Sequence, residues 1–63
     1  LRLLSAVVAR STRWLKPGGR LLLELGGDQS TAVAAQMKAV GFVDIAVLRD
    51  DDGNDRAIEA RRP

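Results

Sequence analysis

The chain has 63 residues, no Cys, no His, and a net charge of +2 from 10 basic and 8 acidic residues. Disulfides, a thiolate nucleophile, an imidazole base and the Cys/His sets that hold zinc are therefore excluded. Interspersed charge of both signs argues against direct nucleic-acid binding, which gathers basic residues on one face. Hydrophobic residues make up 46%, but nine of them are Ala and fill little volume. A chain this short buries only about 60% of the surface it exposes when unfolded. With burial and ordering entropy so nearly balanced, stability is expected to depend on more protein.

From Leu1 to about Leu15 the pattern predicts a helix. Leu4, Val8, Ser11 and Leu15 fall at helical spacing, Leu3, Val7 and Trp14 widen the stripe, and Arg2, Arg10 and Arg13 are left towards solvent. No N-cap precedes Leu1, so the helix is expected to begin upstream, and Pro17, Gly18 and Gly19 stop it. Arg20 to Leu25 reads as a short strand whose Leu21-Leu22-Leu23 run does not alternate, the pattern of a strand covered on both faces. After Gly26-Gly27, Asp28 or Ser30 could cap a second helix that runs to about Val40 and buries Val33, Met37 and Val40. Gly41 stands at the C′ position of that helix, with Phe42 placed to contact Met37. Val43, Ile45 and Val47 alternate as a strand with one better-buried face. Asp50 to Asp55 turns around Gly53-Asn54, and Arg56 to Arg61 is a weaker final strand with Ile58 as its only large apolar residue. The class is α/β, ordered helix, strand, helix, strand, strand. The middle three elements imply a right-handed crossover and the last two strands a hairpin.

Few residues invite chemistry. Gly18-Gly19 precedes a strand and offers no helix N-terminus to an anion. Gly26-Gly27 does lie between strand and helix, but it matches neither G-x-G-x-x-G nor the P-loop, and Asp28 puts negative charge where a phosphate would go. Glu24 lies near the C-terminal end of the first strand, the edge where open α/β sheets bind ligands; the plainer expectation is a carboxylate paired with an Arg or facing water. Asp50-Asp51-Asp52 with Asp55 lacks the alternating spacing and distal Glu of a calcium loop, which leaves a solvated hairpin tip. Trp14 could stack on a ligand, but on an apolar helical stripe it is expected in the core. The cluster Arg10, Arg13, Lys16 and Arg20 reads as a solvated helix end and turn. Ser5, Ser11 and Ser30 have no His to activate them and no Lys placed to do so. No residue is nominated as catalytic, as a cofactor ligand or as a metal ligand.

The stretch Trp14-Leu15-Lys16-Pro17-Gly18-Gly19 followed by Leu21-Leu22-Leu23-Glu24 resembles Rossmann-like methyltransferases, where a helix, a K-P-G-G turn and the fifth sheet strand follow one another. Glu24-Leu25-Gly26, Gln29, Gly41-Phe42, Arg49-Asp50, and Gly53 with Asp55-Arg56 narrow this to the C-terminal end of the HemK/PrmC family. The similarity covers nearly the whole chain. It departs at Asp51, where relatives often have an apolar or aromatic residue, and at Ala57 and Glu59, where they favour larger apolar ones.

The resemblance implies that residues 1–63 are the C-terminal part of one methyltransferase domain, with the last two strands a hairpin at one edge of a seven-stranded sheet. It implies S-adenosylmethionine as cofactor. It also implies a protein substrate: the side-chain amide of the glutamine in the Gly-Gly-Gln motif of peptide chain release factors. The family's glycine-rich cofactor loop, acidic ribose ligand and Asn-Pro-Pro-Tyr substrate motif would all precede Leu1, so no catalytic or cofactor residue carries over and this segment alone is expected to be inactive. The missing N-terminal half is then an implied partner. Two other readings remain: a methyltransferase of this fold acting on a small molecule or RNA, and a non-catalytic interaction domain. A cytoplasmic protein is expected, because there is no Cys, no signal-peptide pattern at Leu1, and no apolar run long enough to span a bilayer.

Overall fold

The computed structural model describes residues 2–26 and 28–63. The expected start of the first helix at Leu1, the orientations of Arg2, Leu3 and Ser5, and Gly27 of the glycine turn lie outside the described residues. Five elements follow in order: α1 (Arg2–Trp14), β1 (Arg20–Glu24), α2 (Ser30–Ala39), β2 (Val43–Arg49) and β3 (Asp55–Arg61). The α/β class and the element order are as the sequence indicates.

The strands form one sheet in the order β1-β3-β2, with β3 antiparallel to both neighbours. β1 and β2 therefore run parallel, as a crossover through α2 requires, but they do not touch. The hairpin folds β3 back between them. This corrects the reading of β3 as a weak last strand. It is central, with Ile58 fully buried and Ala60 nearly so. Its small Ala side chains suit a strand flanked on both sides, where larger groups would crowd.

Both helices cover one face of the sheet. The buried cluster joins Val8 of α1, Val33 and Met37 of α2, Leu21 and Leu25, Phe42, Ile58 and Ala60. Ser11 is fully buried among them, and its Oγ donates to the Val8 carbonyl at 2.7 Å, so no polar atom is stranded. The opposite face is open: Leu22 is 60% and Leu48 42% exposed. The expectation that Leu21-Leu22-Leu23 is covered on both faces is thus corrected among the described residues. The pleat turns Leu21 and Leu23 inward and Leu22 outward, and no described element lies over Leu22.

Local chemistry sets the ends of the elements. Lys16-Pro17-Gly18-Gly19 is a tight turn with Gly18 at φ +84°, closed by the Gly19 N–H to the Lys16 carbonyl at 2.8 Å. Gly18 and Gly19 then extend the β1–β3 ladder through two backbone bonds to Arg62. At the end of α2, Gly41 has φ +97°, its N–H bonds the Lys38 carbonyl and the Phe42 N–H bonds the Met37 carbonyl. Gly41 is the left-handed C′ residue the sequence indicates, with Phe42 in the same core cluster as Met37.

Two expectations fail nearby. The N-cap of α2 is Gln29, not Asp28 or Ser30, and its side chain makes no capping bond. The alternation in β2 breaks at Asp44, a non-glycine residue at φ +53°, where a register shift separates Val43 from Ala46. Val43 is exposed as a result, while Ile45 and Val47 stay half-buried.

Candidate edge site at the carboxyl ends of the strands

The C-terminal ends of β1 and β2, the start of β3 and the N-terminus of α2 meet at one edge of the sheet. Ligands of open α/β sheets sit at this edge, and here it is built by the β2–β3 hairpin and the turn after β1. Asp50 organises the hairpin. One carboxylate oxygen accepts the backbone N–H groups of Asp52 at 3.0 Å and Asn54 at 2.9 Å, and the other accepts Arg56 Nε at 2.6 Å. These donors favour the ionised form, the Asn54 amide most and the Arg56 guanidinium next, and hold the Asp50 pKa below the ordinary carboxylate value. The acidic run is therefore a self-bonded turn. Among the described residues no group of His, Cys, Asp and Glu is gathered as a metal ion would need.

A second ion pair lies beside the first, with Arg49 Nε 2.9 Å from Asp55 Oδ1. The other oxygen of Asp55 accepts a short hydrogen bond from Ser30 Oγ, which joins the hairpin to the first residue of α2. In the turn after β1, Gln29 Oε1 accepts the Gly26 N–H at 2.9 Å. Sequence reasoning passed over Ser30, Gln29, Asp55 and Arg56 as functional residues. Their one signal was the spacing that carries the family resemblance.

The remaining candidates are scattered. Glu24 is exposed at the end of β1, opposite Ala57, and together with Leu22, Leu25, Arg56 and Ala57 it borders a shallow depression on the open face. Trp14 is 61% exposed, which corrects its assignment to the core. At about 100° per residue it stands roughly 90° from the stripe of Leu4, Val8, Ser11 and Leu15. Arg10, Arg13, Lys16 and Arg20 are exposed at the opposite end of the molecule, with Arg20 3.9 Å from Glu59. Ser11 and Ser30 are engaged as described, neither by a base. No helix among the described residues is long and apolar enough to cross a membrane.

Such a segment, two parallel strands linked by a helix with polar turns at their carboxyl edge, is one side of an α/β sheet domain. The particular relationship comes from comparison with known proteins. The chain is 47% identical over 58 residues to the release factor glutamine methyltransferase of Cereibacter sphaeroides, covering 92% of the chain and 21% of that protein. It is 40% identical over 53 residues to that of Yersinia pestis (84% and 19%), and 46% identical over 50 residues to that of Pseudomonas aeruginosa (79% and 18%). The resemblance read from the sequence is borne out: over nearly its whole length the chain is related to release factor glutamine methyltransferases. It spans about a fifth of the length of these relatives. No family model matches the chain, and no solved structure matches it.

Proposed function

We propose that residues 1–63 form the C-terminal part of an S-adenosylmethionine-dependent methyltransferase domain. The intact protein methylates the glutamine side-chain amide of the Gly-Gly-Gln motif in peptide chain release factors. The observation that carries this reading is the similarity to proteins of that name along nearly the whole chain.

The sheet edges support the placement. The outer edge of β2 is broken by the bulge at Asp44, a device that keeps edge strands from pairing further. β1 is regular, apolar and without a bulge, and it carries exposed Leu22. An unprotected edge beside an open apolar face suits a sheet that continues past β1 into the rest of a Rossmann-like domain, with that remainder covering Leu22 and Leu48.

The described residues do not fit the cofactor. The cleft at the carboxyl edge is open, polar and bordered by Asp28, Gly53, Asn54, Asp55 and Arg56, with no enclosed apolar slot for an adenine ring. No catalytic step is therefore derived from this segment. The 63-residue chain alone should bind S-adenosylmethionine negligibly in titration calorimetry; a one-to-one site in the micromolar range would overturn the placement.

The activity is tested on the intact protein with methyl-labelled cofactor and a release factor, followed by mass spectrometry of the Gly-Gly-Gln peptide. Methylation of that glutamine, lost when it is replaced by alanine, is expected. Cofactor binding without transfer to the release factor would favour a small-molecule or RNA substrate.

A further inference from the structure

We infer that Asp55 is a positioning residue for the transfer reaction. Its carboxylate holds the turn between β1 and α2 in one geometry, so that the carboxyl edge of the sheet meets the protein substrate correctly. The inference rests on the function proposed above and deepens it.

Among the side-chain-to-side-chain hydrogen bonds of the described residues, Ser30 to Asp55 is the one that joins a helix to the sheet. The second oxygen of Asp55 takes Arg49 Nε at 2.9 Å. One carboxylate thus ties together the first residue of α2, the last of β2 and the first of β3. The turn itself has few other anchors. Gln29 directs its side chain inward to the Gly26 N–H and caps nothing. At the near end the Leu25 N–H bonds the Arg56 carbonyl at 2.8 Å. At the far end the attachment to the sheet passes through Ser30 and Asp55.

An ionic tie is a poor choice if adhesion alone is needed. The Asp55 side chain is only 21% exposed, and withdrawing a carboxylate from water costs much of what its partners return. A Val or Leu pair would hold helix to strand without that cost. The carboxylate instead fixes direction, because two oxygens with two donors set the angle as well as the distance. The lip so fixed presents Glu24 and Asp28, both exposed, at the carboxyl edge. The described residues there build no cradle for the cofactor, so the protein substrate is the ligand that this lip meets.

The test uses the intact protein carrying Ser30→Ala, Asp55→Asn or Ser30→Thr, with steady-state kinetics run separately in release factor and in S-adenosylmethionine. Ser30→Ala and Asp55→Asn should raise KM for the release factor about tenfold and leave KM for S-adenosylmethionine unchanged. Ser30→Thr, which keeps the hydroxyl, should restore the wild-type value. Should Asp55→Asn fail to fold, the Ser30 pair decides alone. An unchanged KM for the release factor overturns the inference. A fall in kcat alone also overturns it, since a merely structural bond lowers the active fraction and moves neither KM, as does failure of Ser30→Thr to rescue. If the wild-type protein transfers no methyl group to a release factor, the function proposed above falls and this inference falls with it.

Discussion

Gly41 shows how much one residue can fix. With φ at +97° and nothing within 4 Å of where a Cβ would stand, substitution there meets no steric obstacle and pays only for the left-handed backbone. Gly41→Ala should therefore cost about 1 kcal/mol, read as a lowered denaturation midpoint, and a neutral result would mean that α2 does not end there. Gly19 fails for a different reason. Its Cβ would come 2.9 Å from the Lys16 carbonyl oxygen, a backbone atom that cannot rotate away, so Gly19→Ala must open the turn that leads into β1. Asp50 gives a pH dependence. Its folded pKa is depressed, so the stability it contributes is fully present above the ordinary carboxylate value and is lost as pH falls through the lowered one. Hairpin amides should lose protection only below about pH 4. In Asp50→Asn that acid-dependent loss should be missing, as amide exchange across residues 50 to 56 would report.

At the scale of elements, the charges follow the helix dipoles. Lys38 lies in the last turn of α2 and Arg13 in the last turn of α1, and Arg62 donates a short hydrogen bond from Nη1 to the Leu15 carbonyl just past α1. Cations are stabilising at such ends, which accounts for the basic cluster without any ligand. Arg62→Met keeps most of the apolar stem and removes the donor; it should cost about 1 kcal/mol, measurable in the same denaturation series. Much of this level was legible in the sequence: the Pro17-Gly18-Gly19 stop, Gly41 as a C′ residue, and the Asp50 to Asp55 turn are local signals with local causes. What was not legible depends on partners distant in sequence. Nothing in Arg56 to Arg61 shows that the strand sits between two others, because the small side chains that make a strand look weak also suit a central one. The Ser30–Asp55 bond spans 25 residues, and neither residue type signals it. Trp14 and Leu22 were misjudged alike, since periodicity reports which residues share a face but not whether anything covers it.

The whole molecule is unbalanced, with one face of the sheet packed and the other open. Leu22 and Leu48 are exposed on that open face, and β1 offers its outer backbone groups unpaired among the described residues. β2 is also an outer strand, but the bulge and the positive φ at Asp44 spoil its edge for pairing. β1 has the regular register that a new strand needs. Taken alone, the 63-residue chain should therefore self-associate as concentration rises, through β1 and the apolar face beside it. Sedimentation at several concentrations should show the shift. Leu22→Lys, which places a charge on the exposed face and leaves the packed face untouched, should move the association to higher concentration. Amide exchange along residues 20 to 25 should slow as the chain assembles, because pairing supplies acceptors for donors that otherwise face water. A strictly monomeric chain, with that strand already protected at the lowest concentration, would contradict this. It would mean that the segment covers its own edge, and the reading of these residues as one side of a larger sheet would give way to a self-contained interaction domain.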